Sequence, residues 1–82
     1  MEIQRSAEAY EIYVQMRAEI TGKSEADIKS EVAPEQFEKQ VRDLYYRWTC
    51  GEFSYGRFTE LIGVPHWELW EIFDALGLPR HK

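Results

Sequence analysis

The sequence predicts an all-α fold: a small helical domain of four to five helices with a helix-turn-helix-like unit in its C-terminal half. Three observations carry that reading. Apolar residues recur at helical spacing, most tightly at Phe37, Val41, Leu44, Tyr45 and Trp48, which follow the i, i+4, i+7, i+8, i+11 pattern of a buried helix stripe. No stretch alternates apolar and polar residues with period two for long enough to make a strand. Gly and Pro punctuate the chain at short intervals, with Ser24 and Ser54 placed to open the helices that follow.

The first helix is expected over about residues 7–21, with Ser6 as its N-cap. Tyr10, Tyr13, Val14, Met16 and Ile20 fall mostly on one side, and Ala9 and Ile12 widen the stripe. Gly22 ends this helix by offering a left-handed C-terminal conformation. Ser24 with Asp27 three residues later resembles a capping box for a short second helix, about residues 25–32. Ala33-Pro34 breaks it, and Pro34 suits the start of the third helix, about 35–49. The third helix must bury its stripe, while Tyr46 points to the opposite side. Gly51 stops it and Ser54 caps the fourth helix, about 55–62. Gly63-Val64-Pro65 then turns the chain into the fifth, about 66–76, closed by Gly77 and Pro79.

With 82 residues, 44% of them apolar and twelve aromatic, the chain reads as one domain, residues 1–82, with enough large rings to build a core without staples. Within it, residues 1–33 form an N-terminal helical region suited to oligomerisation, and residues 34–82 a trihelical unit. The single Cys50 has no internal partner, and no Cys/His cluster has zinc-ligand spacing. Neither a metal nor a cofactor is expected. A reducing cytoplasm is the natural compartment, because the N-terminus lacks an apolar run of signal-peptide length and no segment approaches the roughly 20 apolar residues of a membrane span. Net charge is −5, with ten carboxylates against six cations over residues 1–43 and five against four over residues 44–82. That balance supports solubility and disfavours loose attraction to phosphate.

In the stretch FTELIGVPHWELWEIFDALG, residues 58–77, the requirements of a helix-turn-helix are met in order. Phe58 and Ile62 are the apolar residues of the first helix, Gly63 the turn that tolerates positive φ, and Val64 the plug behind it. Leu69 and Ile72 return from the second helix, with Phe73 and Leu76 continuing the face. Leu61 is expected to help close the core. Thr59 stands where close helix approach usually selects Ala. A plain helical hairpin with a Gly turn is the alternative.

Reading of DNA is a separate matter. The outward positions at the start of the second helix are Pro65, His66, Trp67, Trp70 and Glu71, and none is an Arg, Lys, Asn or Gln suited to base edges. Glu68, Glu71 and Asp74 would approach phosphates unfavourably. Phosphate contacts would fall to Arg47, Arg57, Arg80 and Lys82, the cations of the C-terminal half, with His66 a further candidate for DNA contact.

The run from Tyr46 to Pro79 resembles a specific family. Its pattern is met by Gly51, Ser54, Gly56, Arg57, Glu60, Leu61, Gly63, Val64, Trp67, Glu68, Leu69, Glu71, Ile72, Gly77, Leu78 and Pro79. This is the pattern of uncharacterised protein family 0175, small prokaryotic proteins assigned to the antitoxin side of toxin–antitoxin pairs. The resemblance covers residues 46–79. It implies a helix-turn-helix scaffold and a PIN-domain ribonuclease toxin as the protein partner. Family members begin with a short strand-like segment, whereas residues 1–33 here read as helix.

The candidate site residues divide into three sets. Partner binding falls to Tyr46, Trp67, Glu68 and Glu71: a Trp among carboxylates suggests a contact surface, since Trp is enriched in binding hot spots. The other reading of Trp67 folds it back onto the preceding helix, and Tyr46 is equally a solvated ring. DNA contact falls to Arg57, His66, Arg80 and Lys82, although Arg57 can equally pair with Glu60 across one turn. Dimerisation falls to Tyr10, Ile12, Tyr13, Met16 and Ile20, whose arc is wider than one docking face needs; the alternative is that the first helix buries this arc within its own chain. Cys50 reads as a semi-buried small apolar residue, and no acid, base and nucleophile come together. The chain is therefore expected not to be an enzyme. Two functions follow: an antitoxin-like or small regulatory protein that binds a protein partner, and DNA as a homodimer, or an interaction module without DNA binding.

Overall fold

The computed structural model describes the backbone of residues 2–79 and the side chains of residues 7–79. Five helices follow one another: α1 (Glu2–Thr21), α2 (Glu25–Glu31), α3 (Pro34–Thr49), α4 (Tyr55–Ile62) and α5 (His66–Leu76). No strand occurs among the described residues.

The helix boundaries agree with the local signals except at the start of α1. Ser6 is not an N-cap; the backbone is already helical from Glu2, so the serine sits inside the first turns. Ser24 caps α2 by accepting the Asp27 N–H at 3.1 Å. At α3 the reciprocal half of a capping box forms, with Gln36 Oε1 accepting the Ala33 N–H at 3.2 Å; alanine has no acceptor to return. Ser54 Oγ accepts the Arg57 N–H at 3.2 Å and opens α4. Gly22 and Gly77 end α1 and α5 with positive φ.

One core joins all five helices. Its largest fully buried side chains are Phe37, Phe58, Phe73, Leu69, Ile72, Val14 and Val41, each stabilising by roughly 1.5–3 kcal/mol relative to exposure. Trp48 is the aromatic hub: its ring lies 5.8 Å from Phe58, 5.8 Å from Phe73 and 6.2 Å from Trp70. Leu61 does not close this core. It is 40% exposed while Ile62 is buried, because one residue on an α-helix turns a side chain by about 100°. The buried face of α4 is Phe58, Thr59 and Ile62. Thr59 fits this face because its Oγ1 donates to the Gly56 carbonyl at 2.6 Å, so the hydroxyl is satisfied within its own helix.

α1 packs most extensively against α5 and also against α2 and α3. Its apolar arc is largely consumed in these contacts. Tyr10 and Tyr13 are buried within the chain, their rings 5.8 and 4.7 Å from Phe37. The Tyr10 hydroxyl donates to the Val32 carbonyl at 2.6 Å, which ties α1 to the end of α2. Ile12 and Met16 are partly buried against the same core. Of the five residues expected at a dimer face, Ile20 alone is exposed. The surplus had a simpler destination: one long helix covering three shorter ones.

Candidate functional site

The site is built around the corner between α4 and α5. Gly63 has φ 88°, a left-handed conformation that a Cβ would strain. The Thr59 carbonyl accepts the Gly63 N–H at 2.7 Å and the Val64 N–H at 3.3 Å, so the corner finishes α4 with its carbonyl satisfied. Val64, Leu69 and Ile72 are buried behind it. From α1, Arg17 Nη1 donates to the Gly63 carbonyl at 3.0 Å, and this places the C-terminal end of α1 beside the start of α5.

Pro65 precedes α5 without a side-chain cap, and the first turn projects Trp67 into solvent. Trp67 is 66% exposed and makes no ring–ring contact among the described residues, so most of its surface is open to solvent. Beside it Glu68 is half-buried and Glu71 exposed. The Glu68 carboxyl is held above the usual carboxylate range, first by burial, then by the charges of Glu71 and of Glu19 on α1. A place in the first turn of a helix normally favours a carboxylate; here desolvation and two like charges win. Among the described residues no cation pairs with Glu19, Glu68 or Glu71. Tyr46 is also exposed, but it stands on α3 and no ring contact joins it to Trp67.

The DNA-contact set is not brought together as a cationic surface. Arg57 pairs with Glu60 at 3.1 Å, and Arg80 and Lys82 lie outside the described residues. His66 is exposed, its ring 5.2 Å from Tyr55 in an edge arrangement. Trp70 is not an outward reading position: it stacks on Tyr55 with ring centroids 4.4 Å apart, and the Tyr55 hydroxyl donates to the His66 carbonyl at 2.5 Å. Cys50 is exposed rather than semi-buried; it follows the last turn of α3 on the solvent side of the Gly51 bend. Among the described residues, no group of three or more His, Cys, Asp or Glu side chains could hold a metal ion. No helix there is long and apolar enough to cross a membrane.

Two members of the corner escaped the sequence reading, Arg17 and Glu19 of α1. Arg17 did leave a signal: it is four residues after Tyr13 and three before Ile20, on the buried side of an amphipathic helix, where a cation needs a partner. Nothing local pointed to Gly63 as that partner.

No protein-family model, curated protein or solved structure matches the chain.

Proposed function

We propose that this chain is an antitoxin-like or small regulatory helix-turn-helix protein that acts by binding a protein partner through the outer side of α5. The observation that carries the reading is Trp67, exposed in the first turn of α5 and followed by Glu68 and Glu71, which no cation pairs with among the described residues. Exposed Trp of this kind is a typical anchor of a protein interface. The helix-turn-helix assignment is supported by the positive φ of Gly63 and by the burial of Val64, Leu69 and Ile72. The motif from Tyr46 to Pro79 supports a PIN-domain ribonuclease as the partner. A growth assay tests this: expression of the ribonuclease arrests cells, co-expression of this chain restores growth, and Trp67→Ala abolishes the rescue. Full rescue by Trp67→Ala would sink the reading.

A second reading, an interaction module that does not bind DNA, is favoured by a specific observation. Arg47 and Arg57, the described arginines after Leu44, both pair with carboxylates, Arg47 with Asp43 and Glu52, Arg57 with Glu60. A gel shift with random duplex separates it from a DNA-binding regulator. A homodimer would have to centre its face on Ile20, since Tyr10 and Tyr13 are buried inside the chain, and a monomer is the state proposed here.

A further inference from the structure

We infer that the corner where α1 meets the start of α5 is a docking surface for a cationic amphipathic helix of a protein partner. The inference rests on the partner-binding reading above and names the chemistry of the partner.

Four large apolar side chains are exposed among the described residues: Ile20, Tyr46, Leu61 and Trp67. Three of them lie within four residues of the Arg17–Gly63 contact that makes this corner. Ile20 is three residues beyond Arg17, while Leu61 and Trp67 are two residues before and four after Gly63, and Arg17 and Gly63 are joined by a hydrogen bond. Scattered exposed apolar residues are ordinary; a concentration around one tertiary contact marks an interaction surface. Its apolar residues come from α1, α4 and α5, so the surface exists only in the folded chain.

Charge decides the occupant. Glu19 adjoins Ile20, and Glu68 and Glu71 follow Trp67 by one and four positions on α5. Among the described residues these three carboxylates have no cation partner, and Glu19 and Glu71 both bear on Glu68. Five of the described cations are engaged by other carboxylates: Lys23, Lys29, Arg42, Arg47 and Arg57. Arg17, the cation nearest the corner, is turned inward to the Gly63 carbonyl. The corner is therefore both apolar and net negative, with three carboxylates against the one Arg17 guanidinium. Nucleic acid and anionic lipid have the wrong sign, and a second copy would bring three more carboxylates against the first three. A helix with Leu-like residues on one face and Lys or Arg beside them satisfies both features. Its apolar face covers Ile20, Leu61 and the Trp67 ring; its cations lie against that ring and the carboxylates.

The test is fluorescence anisotropy of the full chain with a labelled synthetic helix carrying Leu at helical spacing and Lys on the flanks. A control peptide keeps the Leu face and replaces Lys by Glu. The basic peptide is expected to bind, more weakly as salt rises from about 50 to about 300 mM, and the acidic one not to bind. Trp67→Ala should weaken binding roughly tenfold or more. Glu68→Gln with Glu71→Gln should weaken it and flatten the salt dependence, whereas Glu25→Gln with Glu35→Gln, the same charge change on α2 and α3, should not. Apart from half-buried Glu68 these side chains are exposed, and circular dichroism verifies that each variant is folded. Equal binding of both peptides, wild-type binding by Trp67→Ala, or no binding of the basic peptide by folded protein overturns the inference. Ribonuclease rescue that depends on Trp67 without basic-peptide binding removes this inference and leaves the proposed function standing. Basic-peptide binding without rescue keeps the surface and removes the antitoxin reading.

Discussion

Arg17 donates to the Gly63 carbonyl at 3.0 Å across 46 residues of sequence, so the α4–α5 corner is held by a helix that lies far from it in the chain. Two requirements meet at Gly63. Its φ of 88° excludes a side chain at low cost, and a Cβ there would sit 2.8 Å from Arg17 Nη1. Arginine is flexible enough to retreat, so the backbone is the larger cost.

Gly63→Ala should therefore destabilise the fold by about 1–2 kcal/mol, the cost of a left-handed conformation for an L-residue. Arg17→Met should cost about 1 kcal/mol, one part-buried hydrogen bond, with the aliphatic stem retained. Urea unfolding followed by circular dichroism measures both. A neutral Gly63→Ala would mean that the corner adopts another conformation.

Glu68 gives a pH-dependent prediction. Its carboxyl is raised above 4.5 by burial and by Glu71 and Glu19, so the fold favours the protonated form. The stability it contributes is complete below pH 4.5, the unfolded value, and is lost as pH rises through the higher folded value. Glu68→Gln should then be slightly more stable than the wild type at pH 7, within about 0.5 kcal/mol. The difference should vanish in acid. Thermal melts across this range check it, and a destabilised Glu68→Gln at neutral pH would contradict it. A cation docked on this carboxylate would relieve the same repulsion, so the residue that weakens the free fold strengthens the proposed complex.

Tyr13 gives a prediction at alkaline pH. Burial raises its phenol above 10.0, with the Arg17 charge opposing. The neutral form belongs to the fold, so this stabilisation is complete below pH 10, the unfolded value, and falls away as pH rises through the raised folded value. Tyr13→Phe should flatten the decline of the urea midpoint between about pH 9 and about pH 11.5. An unchanged slope would show that another group governs the alkaline transition.

The parts of the fold that were legible share a local cause. α3 could be placed to a residue because Phe37, Val41, Leu44 and Trp48 fall on one narrow stripe, and all four are buried. The Gly63 turn was legible because positive φ selects glycine. Leu61 was misread because α4 has eight residues, too few for periodicity to decide between adjacent apolar positions. Ser6 was misread because capping needs a non-helical backbone, which residue type does not dictate. The destination of the α1 arc was open for a deeper reason: an amphipathic helix states that it must be covered, never by what. Within the candidate site, Trp67, Glu68 and Glu71 were legible from one helix, whereas Arg17 and Glu19 enter through tertiary packing alone.

DNA binding by the chain should be weak. Among the described residues five cations are already paired with carboxylates, and each phosphate contact contributes about −0.9 to the slope of log affinity against log salt. A gel-shift titration with random duplex should show no shift at physiological salt and a shallow slope below it. Arg57→Ala should remove most of what remains, at the loss of a surface pair with Glu60 worth less than about 1 kcal/mol. Nanomolar affinity or a steep slope would reverse the preference for a protein partner.

The last prediction concerns mass. A dimer through α1 was attractive because its apolar arc exceeds one docking face, and association requires enough newly buried area to offset the loss of translational freedom. The accounting changes once Tyr10 and Tyr13 are found against Phe37 and Ile12 and Met16 against the core. Ile20, 53% exposed, remains, and one half-exposed side chain falls well short of the roughly 800 Å² per partner of a stable interface. Light scattering at micromolar concentration should therefore give the monomer mass, and Ile20→Glu should leave mass and melting temperature unchanged. Tyr13→Glu should instead unfold the chain, since it places a carboxylate against Phe37 in the core. A dimer mass that Ile20→Glu reduces to the monomer would restore the α1 interface and place Ile20 at its centre.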